Sequence, residues 1–183
     1  MVSRQAGSGQ LSGQEDLQLA REAAGGDAGA FAALVRRHEG RVRAFLARLC
    51  RGDSHLADDL AQETFVKAWR MASGWRGEGS YEGWLLRIAW RTFLSDRRGR
   101  REHDELEEAH LGGAEANPDA AIDVNRALDR LGDRERAAAT LCLGEGYSHG
   151  EAAEIMGVPL GTLKSLVARA KAQLIRHLEG EAQ

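Results

Sequence analysis

Apolar residues recur at helical spacing through the first hundred residues of this 183-residue chain. Breaks at Gly25-Gly26, Gly52 and Gly74 divide them into four blocks. The pattern predicts a short helix at about 16–24, a second with Asp27 as its N-cap, and two more at about 55–71 and 81–98. Amphipathic helices of these lengths can bury one common core, so they predict a compact helical domain.

A second helical pattern occupies the last sixty residues. A short helix is predicted at 124–131, and another runs from its N-cap Asp133 to about residue 143. Ser148 and Glu151 have the S-x-x-E spacing of a capping box, which predicts a third short helix ending at Gly157. The final helix carries one apolar stripe, made of Leu163, Val167, Ala170, Leu174 and Leu178.

The charge is distributed unevenly between these blocks. The formal net charge of −3 by itself argues against nucleic-acid binding. However, residues 1–100 hold 16 basic and 12 acidic residues, whereas residues 101–125 hold one basic and eight acidic residues. Residues 126–183 hold eight basic and eight acidic residues. The predicted fold is therefore all-α: a disordered tail (1–14), a helical domain (15–99), an acidic flexible linker (100–121) and a second small helical domain (122–179).

The last two predicted helices have the form of a helix-turn-helix. Ala153 is small enough for closely crossing helices, and Gly157 tolerates the backbone of the turn. From Leu160 to Leu178 the chain carries four basic residues and no acidic one, a charge pattern that suits the major groove of DNA. An ordinary helical hairpin with a solvated basic face is the alternative.

A second basic segment combines arginines with aromatic residues. The sequence GWLLRIAWRTFLSDRRGRR holds six arginines, with Trp84, Trp90 and Phe93 between them. Aromatic rings stack on unpaired bases while arginines follow the phosphates, so this segment favours single-stranded nucleic acid. The alternative is that Trp84 and Ile88 belong to the core and the arginines only solvate the surface.

Other classes of function are disfavoured by what the sequence lacks. No apolar run approaches the length of a membrane span, and the N-terminus has no signal-peptide pattern, so we expect a cytoplasmic protein without membrane insertion. Cys50 and Cys142 are expected to be buried helix residues rather than a disulfide or redox pair. The histidines have no metal-ligand spacing, and Asp58-Asp59 has no nucleophile or phosphate-binding loop beside it. We therefore expect neither an enzyme nor a metal or other cofactor.

Three segments, in order, resemble the sigma-70 family, and specifically its small group-4, or extracytoplasmic-function (ECF), members. DDLAQETFVKAW is similar to the family's region 2.2, and YEGWLLRIAWRTFLSDRR to regions 2.3 and 2.4. LGDRERAAATLCLGEGYSHGEAAEIMGVPLGTLKSLVARAKAQL resembles region 4, with G-T-L-K-S as its most specific run. The resemblance covers about residues 15–98 and 122–178.

The resemblance implies a promoter-recognition subunit that binds the β′ clamp helices and β subunit of bacterial core RNA polymerase. It also implies that an anti-sigma protein binds this subunit. The implied polymerase-binding residues are Asp58, Asp59, Gln62, Glu63, Phe65 and Trp69, with Leu60 in the core and Asp58 and Glu63 exposed. The implied contacts with the melting −10 element are Trp75, Arg76, Ser80, Tyr81, Arg87, Arg91, Arg97 and Arg98. The implied contacts with the −35 duplex are Thr162, Lys164, Ser165, Arg169 and Lys171.

Two departures from the family pattern affect the −35 prediction. Many relatives have G-T-V-K-S-R where this chain has Leu166 in sixth position, and many have a bulkier or polar residue at the position of Ala168. Leu166 either removes a DNA contact or extends the apolar stripe. The acidic linker is either a solvated spacer or a mimic of nucleic acid.

Two other functions compete with that of a sigma factor. One is a helix-turn-helix regulator that binds duplex DNA without polymerase, which the Asp58–Trp69 segment disfavours. The other is a DNA-free interaction module, which the acid-free last helix disfavours.

Overall fold

The structure, a computed structural model, describes the backbone of residues 6–75, 77–104 and 126–180, and the side chains of residues 13–75, 77–100 and 126–177. All regular secondary structure in these ranges is helical. The all-α prediction is therefore confirmed for the described part of the chain. Residues 105–125, most of the predicted acidic linker, lie outside it.

The first domain consists of α1 (Ala6–Ala24), α2 (Ala28–Leu49), α3 (Ser54–Arg70), a 3₁₀ turn (Ala72–Gly74) and α4 (Tyr81–Asp104). Asp27 caps α2, as predicted, and its carboxylate accepts hydrogen bonds from the backbone N–H groups of Gly29 at 2.7 Å and Ala30 at 3.0 Å. Asp53 caps α3 in the same way by accepting from the N–H of Leu56 at 3.0 Å. These caps supply acceptors that the first turn of a helix lacks.

Two helices of this domain are longer than the sequence predicted. Helix α1 starts at Ala6, so residues 6–14 of the expected disordered tail are helical. Helix α4 continues to Asp104, five residues into the predicted linker. In both places a helix anchored by packing extends outward, because each added residue gains a backbone hydrogen bond without a new nucleation step.

The second domain begins with one helical turn at residues 126–129. It continues with α5 (Asp133–Ala139), which runs into a π turn (Thr140–Gly144), then α6 (His149–Met156) and α7 (Leu160–Gly180). The predicted N-cap Asp133 is wrong by one residue: Gly132 is the cap, and Asp133 instead lies 3.2 Å from Arg97 of α4.

Both predicted ends of α6 are confirmed. Ser148 Oγ accepts from the N–H of Glu151 at 3.3 Å, and the Glu151 carboxylate accepts from the N–H of Ser148 at 2.9 Å. Gly157 ends the helix in the left-handed region, at φ 65°. Glycine adopts this conformation at no steric cost, because it has no Cβ. The turn therefore places α6 and α7 in the helix-turn-helix arrangement.

The two domains pack directly on each other, which the sequence did not predict. One apolar cluster includes Leu85, Trp90 and Phe93 of α4 together with Ile155 and Met156 of α6. The indole N–H of Trp90 donates to the carbonyl oxygen of Met156 at 3.2 Å. We call this contact region, between the first domain and α5–α7, the domain seam.

Charged groups reinforce the domain seam. Glu145, which follows the π turn, accepts from Arg48 of α2 at 2.8 Å and also pairs with Arg41. The Arg136 side chain is fully buried and donates to the carbonyl oxygen of Leu49, the last residue of α2, at 2.9 Å. The second domain thus supplies a cation at the carboxyl end of α2, where the helix dipole favours positive charge.

Candidate functional site

A groove runs between α2 and α3, with a volume of about 650 Å³. Its floor is apolar, and its rim carries charges of both signs. The ring centroids of Phe31 and Trp69 lie 5.0 Å apart, which fixes the Trp69 indole at one end. We call this feature the α2–α3 groove; its lining residues are Phe31, Val35, Glu39, Arg43, Asp58, Asp59, Ala61, Gln62, Phe65, Val66 and Trp69.

The α2–α3 groove remains open to solvent although it is apolar. Val66 is 45% exposed and Trp69 37% exposed, and the two side chains belong to one apolar surface instead of standing singly. Asp58 on the rim lies 3.7 Å from Arg43, and both side chains are largely exposed. Exposed apolar side chains within a charged rim are typical of a protein-binding surface.

The groove brings together five of the six predicted polymerase-binding residues, and the sixth, Glu63, lies outside it. Glu63 is exposed and pairs with Lys67 at 2.7 Å. Leu60 is buried, and Asp58 and Glu63 are exposed, so all three expectations about burial in this segment are confirmed. The α2 side of the groove was not predicted. Phe31 and Val35 are four positions apart, so they share one face of α2, next to the buried stripe. This pair of apolar residues outside the buried stripe was the feature of the sequence that could have indicated the groove.

Aromatic side chains cluster around the start of α4. The Tyr81 ring lies 5.1 Å from Trp75, edge to face, and 5.2 Å from Trp84. Tyr81 is only 3% exposed, so its ring packs against the two indoles and is not itself presented to solvent. Burial also raises the pKa of its hydroxyl, which therefore stays protonated. Ser80 caps the helix by accepting from the N–H of Gly83 at 3.0 Å, and Arg76 lies outside the described residues.

The predicted −10 arginines differ in their surroundings. Arg91 and Arg98 are exposed, whereas Arg87 and Arg97 are half-buried. Arg97 donates to Asp133 of the second domain at 3.2 Å. The Nε atom of Arg87 is buried and has no hydrogen-bond partner among the described residues. Part of this basic surface therefore faces the domain seam.

A chain of polar groups that sequence analysis missed crosses the first domain to the domain seam. Buried His38 lies 2.9 Å from Asp16 on one side and 3.7 Å from Glu82 on the other. The hydroxyl of Tyr147 donates to Glu82 from the second domain. His38, Tyr147 and Arg41 together lower the pKa of Glu82, so the carboxylate stays ionised in this partly buried position. The contacting pairs Asp16–His38, His38–Glu82 and Glu82–Tyr147 join residues 22 to 65 positions apart, so no local pattern could reveal them.

The predicted −35 residues lie along α7 and are all exposed: Thr162, Lys164, Ser165, Arg169 and Lys171. Arg169 pairs with Glu135 of α5 at 3.1 Å. Leu166 is 2% exposed and belongs to the apolar cluster that both domains share. It therefore extends the apolar stripe and does not face solvent, while Ala168 is exposed.

The described residues contain no candidate metal site, and neither cysteine has an activated thiol. Among them, no three His, Cys, Asp or Glu side chains are grouped so as to hold a metal ion. Cys50 is buried, which raises the pKa of its thiol to about 12, and Cys142 is half-buried with its thiol pKa also raised by burial. The helices of residues 6–104 and 126–180 include none with the length and hydropathy of a membrane span.

Comparison with protein families identifies two segments of the chain. Residues 34–103 match the model of sigma-70 region 2, and residues 122–174 match that of sigma-70 region 4. The chain is 36% identical to the ECF RNA polymerase sigma factor SigM of Mycobacterium tuberculosis over 168 residues, covering 90% of this chain and 85% of that protein. It is 38% identical to the ECF RNA polymerase sigma factor SigE of Mycolicibacterium smegmatis over 156 residues, but spans only 60% of that protein's length.

Two solved structures share the arrangement of the chain. One is the sigma factor RpoE of Bartonella quintana in complex with the anti-sigma factor NepR, with a TM-score of 0.73 and 29% identity over 81% of this chain and 96% of that one. The other is CnrH in complex with the cytosolic domain of CnrY, with a TM-score of 0.68 and 29% identity over 91% of this chain and 98% of that one.

Proposed function

The chain belongs to the sigma-70 family, in its extracytoplasmic-function group, and on that premise we propose that it binds bacterial core RNA polymerase, directs it to a class of promoters and helps to open them. The observation that carries this proposal is the α2–α3 groove. One side of its apolar floor and the carboxylates Asp58 and Asp59 of its rim come from the same segment, Asp58–Trp69, that resembles region 2.2.

The α2–α3 groove is the surface for the polymerase β′ clamp helices. Trp69 and Val66 supply exposed apolar area that a partner helix can cover. Asp58, Asp59 and Glu63 complement basic side chains of the partner and favour its correct orientation. A helix-turn-helix regulator that works without polymerase is not favoured, because such a regulator does not need an exposed apolar groove for binding polymerase.

Helix α4 and the loop before it form the −10 surface. Trp75 and Trp84 present indoles on which an unpaired base can stack, and buried Tyr81 positions both of them. Arg76, Arg87, Arg91, Arg97 and Arg98 are the candidate partners of the phosphates. Ser80 holds the helix end that carries this surface.

Helix α7 is the −35 surface. Thr162, Lys164 and Ser165 stand at its amino-terminal end, the part of a recognition helix that meets base edges. Arg169 and Lys171 lie further along and contact phosphates, which fix the register on DNA. Leu166 is excluded from this surface by its burial.

The remaining functional proposals follow from this role. The protein performs no covalent chemistry of its own, and it works where RNA polymerase does, in the cytoplasm. An anti-sigma protein binds it, by analogy with the similar sigma factor RpoE, which is seen in complex with the anti-sigma factor NepR.

A binding experiment with core RNA polymerase tests the proposal. Replacing Trp69→Ala removes the exposed indole at the end of the groove, and loss of such an aromatic anchor costs about 2 kcal/mol or more, roughly a thirty-fold loss of affinity. Ile175→Ala is the matched control, since Ile175 is similarly exposed, at 43%, but lies on α7. Equal affinity of the Trp69→Ala and Ile175→Ala variants would show that polymerase binds elsewhere.

A further inference from the structure

One carboxylate of the second domain reaches the −35 surface of α7. The Nε–H group of Arg169 donates to Oε1 of Glu135 on α5 at 3.2 Å, and Nη2 of the same guanidinium lies 3.1 Å from that oxygen. Lys164 and Lys171, two other basic residues of this surface, form no ion pair with any described residue. The contact with Glu135 therefore distinguishes Arg169 from both lysines.

The charge of Glu135 by itself opposes the binding of DNA. A negative charge beside the path of the phosphates repels them, and it offsets the positive charge of Arg169 that attracts them. The pair also contributes little to the stability of the fold, because the Arg169 side chain is 57% exposed and water screens the attraction. A role in DNA recognition must therefore come from the geometry of the contact.

The carboxylate holds the guanidinium along one edge. Nε and Nη2 form that edge, and both face Oε1 of Glu135. The end of the group, formed by Nη1 and Nη2, keeps N–H donors for two parallel hydrogen bonds, the fork that binds a phosphate. A free arginine side chain must be ordered when it binds, which lowers affinity. The contact with Glu135 orders the Arg169 side chain before DNA arrives.

Glu135 stands on a helix that is itself firmly held. The next residue, Arg136, anchors α5 by donating to the carbonyl oxygens of Leu128 at 2.9 Å and Leu131 at 2.7 Å. The other carboxylate oxygen, Oε2 of Glu135, lies over Gly132, where a Cβ atom would stand only 2.7 Å from it. A residue larger than glycine at position 132 would therefore displace the carboxylate.

Resting on the proposed function, we propose that Glu135 is a positioning residue for −35 recognition, which holds the Arg169 guanidinium in the orientation that binds one phosphate beside the −35 element. Thr162 lies seven positions before Arg169, so both side chains stand on the same side of α7. A phosphate fixed at Arg169 sets the register at which Thr162 and Ser165 meet the base edges. Glu135 thus lowers the nonspecific attraction of DNA and raises the selectivity for a correctly placed −35 element.

Equilibrium binding of core RNA polymerase carrying this chain to two promoters tests the proposal. One promoter is chosen from the start sites that overexpression induces, and the other is the same DNA with its −35 element scrambled. Fluorescence anisotropy measures both affinities for the wild-type chain, for Glu135→Ala, for Arg169→Ala and for the double variant. Glu154→Ala is the control, because it removes the same charge from an exposed position of the second domain that has no ion pair among the described residues.

Glu135→Ala should weaken binding to the native promoter about five-fold, the scale on which ordering one flexible side chain lowers affinity. Its affinity for the scrambled promoter should not fall, and Glu154→Ala should not weaken binding to either promoter. When Arg169→Ala is already present, Glu135→Ala should cause no further loss, because Glu135 acts through the guanidinium. Equal or tighter binding of the native promoter by Glu135→Ala would overturn the proposal, and so would an equal loss with and without Arg169.

A further variant separates the position of the carboxylate from its charge. The backbone at Gly132 has φ −62° and ψ 154°, which alanine also adopts, so Gly132→Ala keeps the fold and both charges while its Cβ displaces the carboxylate. This variant should also bind the native promoter several-fold more weakly than the wild-type chain, and wild-type affinity would overturn the proposal. If the wild-type chain does not distinguish the native from the scrambled promoter, the proposed −35 function itself fails, which is a different outcome.

Discussion

The buried Arg136 gives a sharp test of the contacts that stabilise the second domain and join it to the end of α2. Its guanidinium donates to four carbonyl oxygens, those of Leu128 at 2.9 Å, Leu49 at 2.9 Å, Asp129 at 3.3 Å and Leu131 at 2.7 Å. Burial lowers its pKa, but from a value so high that the group remains charged. All four bonds are therefore charge-assisted.

Replacing Arg136→Met keeps an unbranched apolar stem about as long as the methylene part of the arginine side chain and removes every one of these donors. The hydrogen bonds to Leu49 and Leu131 are buried, and each carbonyl left without a partner costs about 1–3 kcal/mol. The two other bonds are partly buried, so water can replace them. The free energy of unfolding should fall by about 3–5 kcal/mol in total, because methionine recovers only part of it by apolar burial.

Urea denaturation followed by far-UV circular dichroism measures this loss. Arg134→Met makes the same chemical change two residues away, at an exposed position, and should shift the free energy of unfolding by no more than about 0.5 kcal/mol. A change below about 1 kcal/mol for Arg136→Met would refute the role assigned to the four carbonyl contacts.

Two further predictions concern α6 and the domain seam. Ser148→Ala removes the capping box with Glu151 and should lower the free energy of unfolding by about 1 kcal/mol in urea denaturation, and an unchanged midpoint would contradict the cap. The pKa of Glu82 is lowered in the folded state, so its ionised form stabilises the fold above the ordinary value of 4.5, and this contribution is lost as the pH falls through the lower, folded pKa. Between pH 5 and 3 the wild-type chain should therefore lose more stability than the Glu82→Gln variant, and parallel pH profiles would show that His38 and Tyr147 do not stabilise the carboxylate.

The sequence predicted those features that depend on neighbouring residues. The N-caps Asp27 and Ser148 were identified because a cap needs a particular side chain within three positions of the backbone groups that it binds. The burial of Leu60 and the exposure of Asp58 were implied by the resemblance to region 2.2, which rests on a short run of neighbouring residues. The proposed polymerase-binding and −35 residues were located by the resemblance in the same way.

Features that join distant residues could not be predicted. Trp90 and Met156 are 66 positions apart, and Arg136 and Leu49 are 87 apart, so no periodicity connects them. Tyr81 was expected to face DNA, but it is covered by the rings of Trp75 and Trp84, which come from both sides of it in the chain. For Leu166 the sequence left two alternatives open, and its burial in the cluster that both domains share decides for the apolar stripe.

In vitro transcription of the organism's own genomic DNA, with purified core RNA polymerase and the full chain, shows whether the protein works as a promoter-recognition subunit. We expect discrete transcript 5′ ends that share two upstream sequence elements. Core polymerase alone, or core polymerase with the Trp69→Ala variant, should yield these transcripts at most weakly. Duplex DNA binding by the chain without any such start sites would contradict this role.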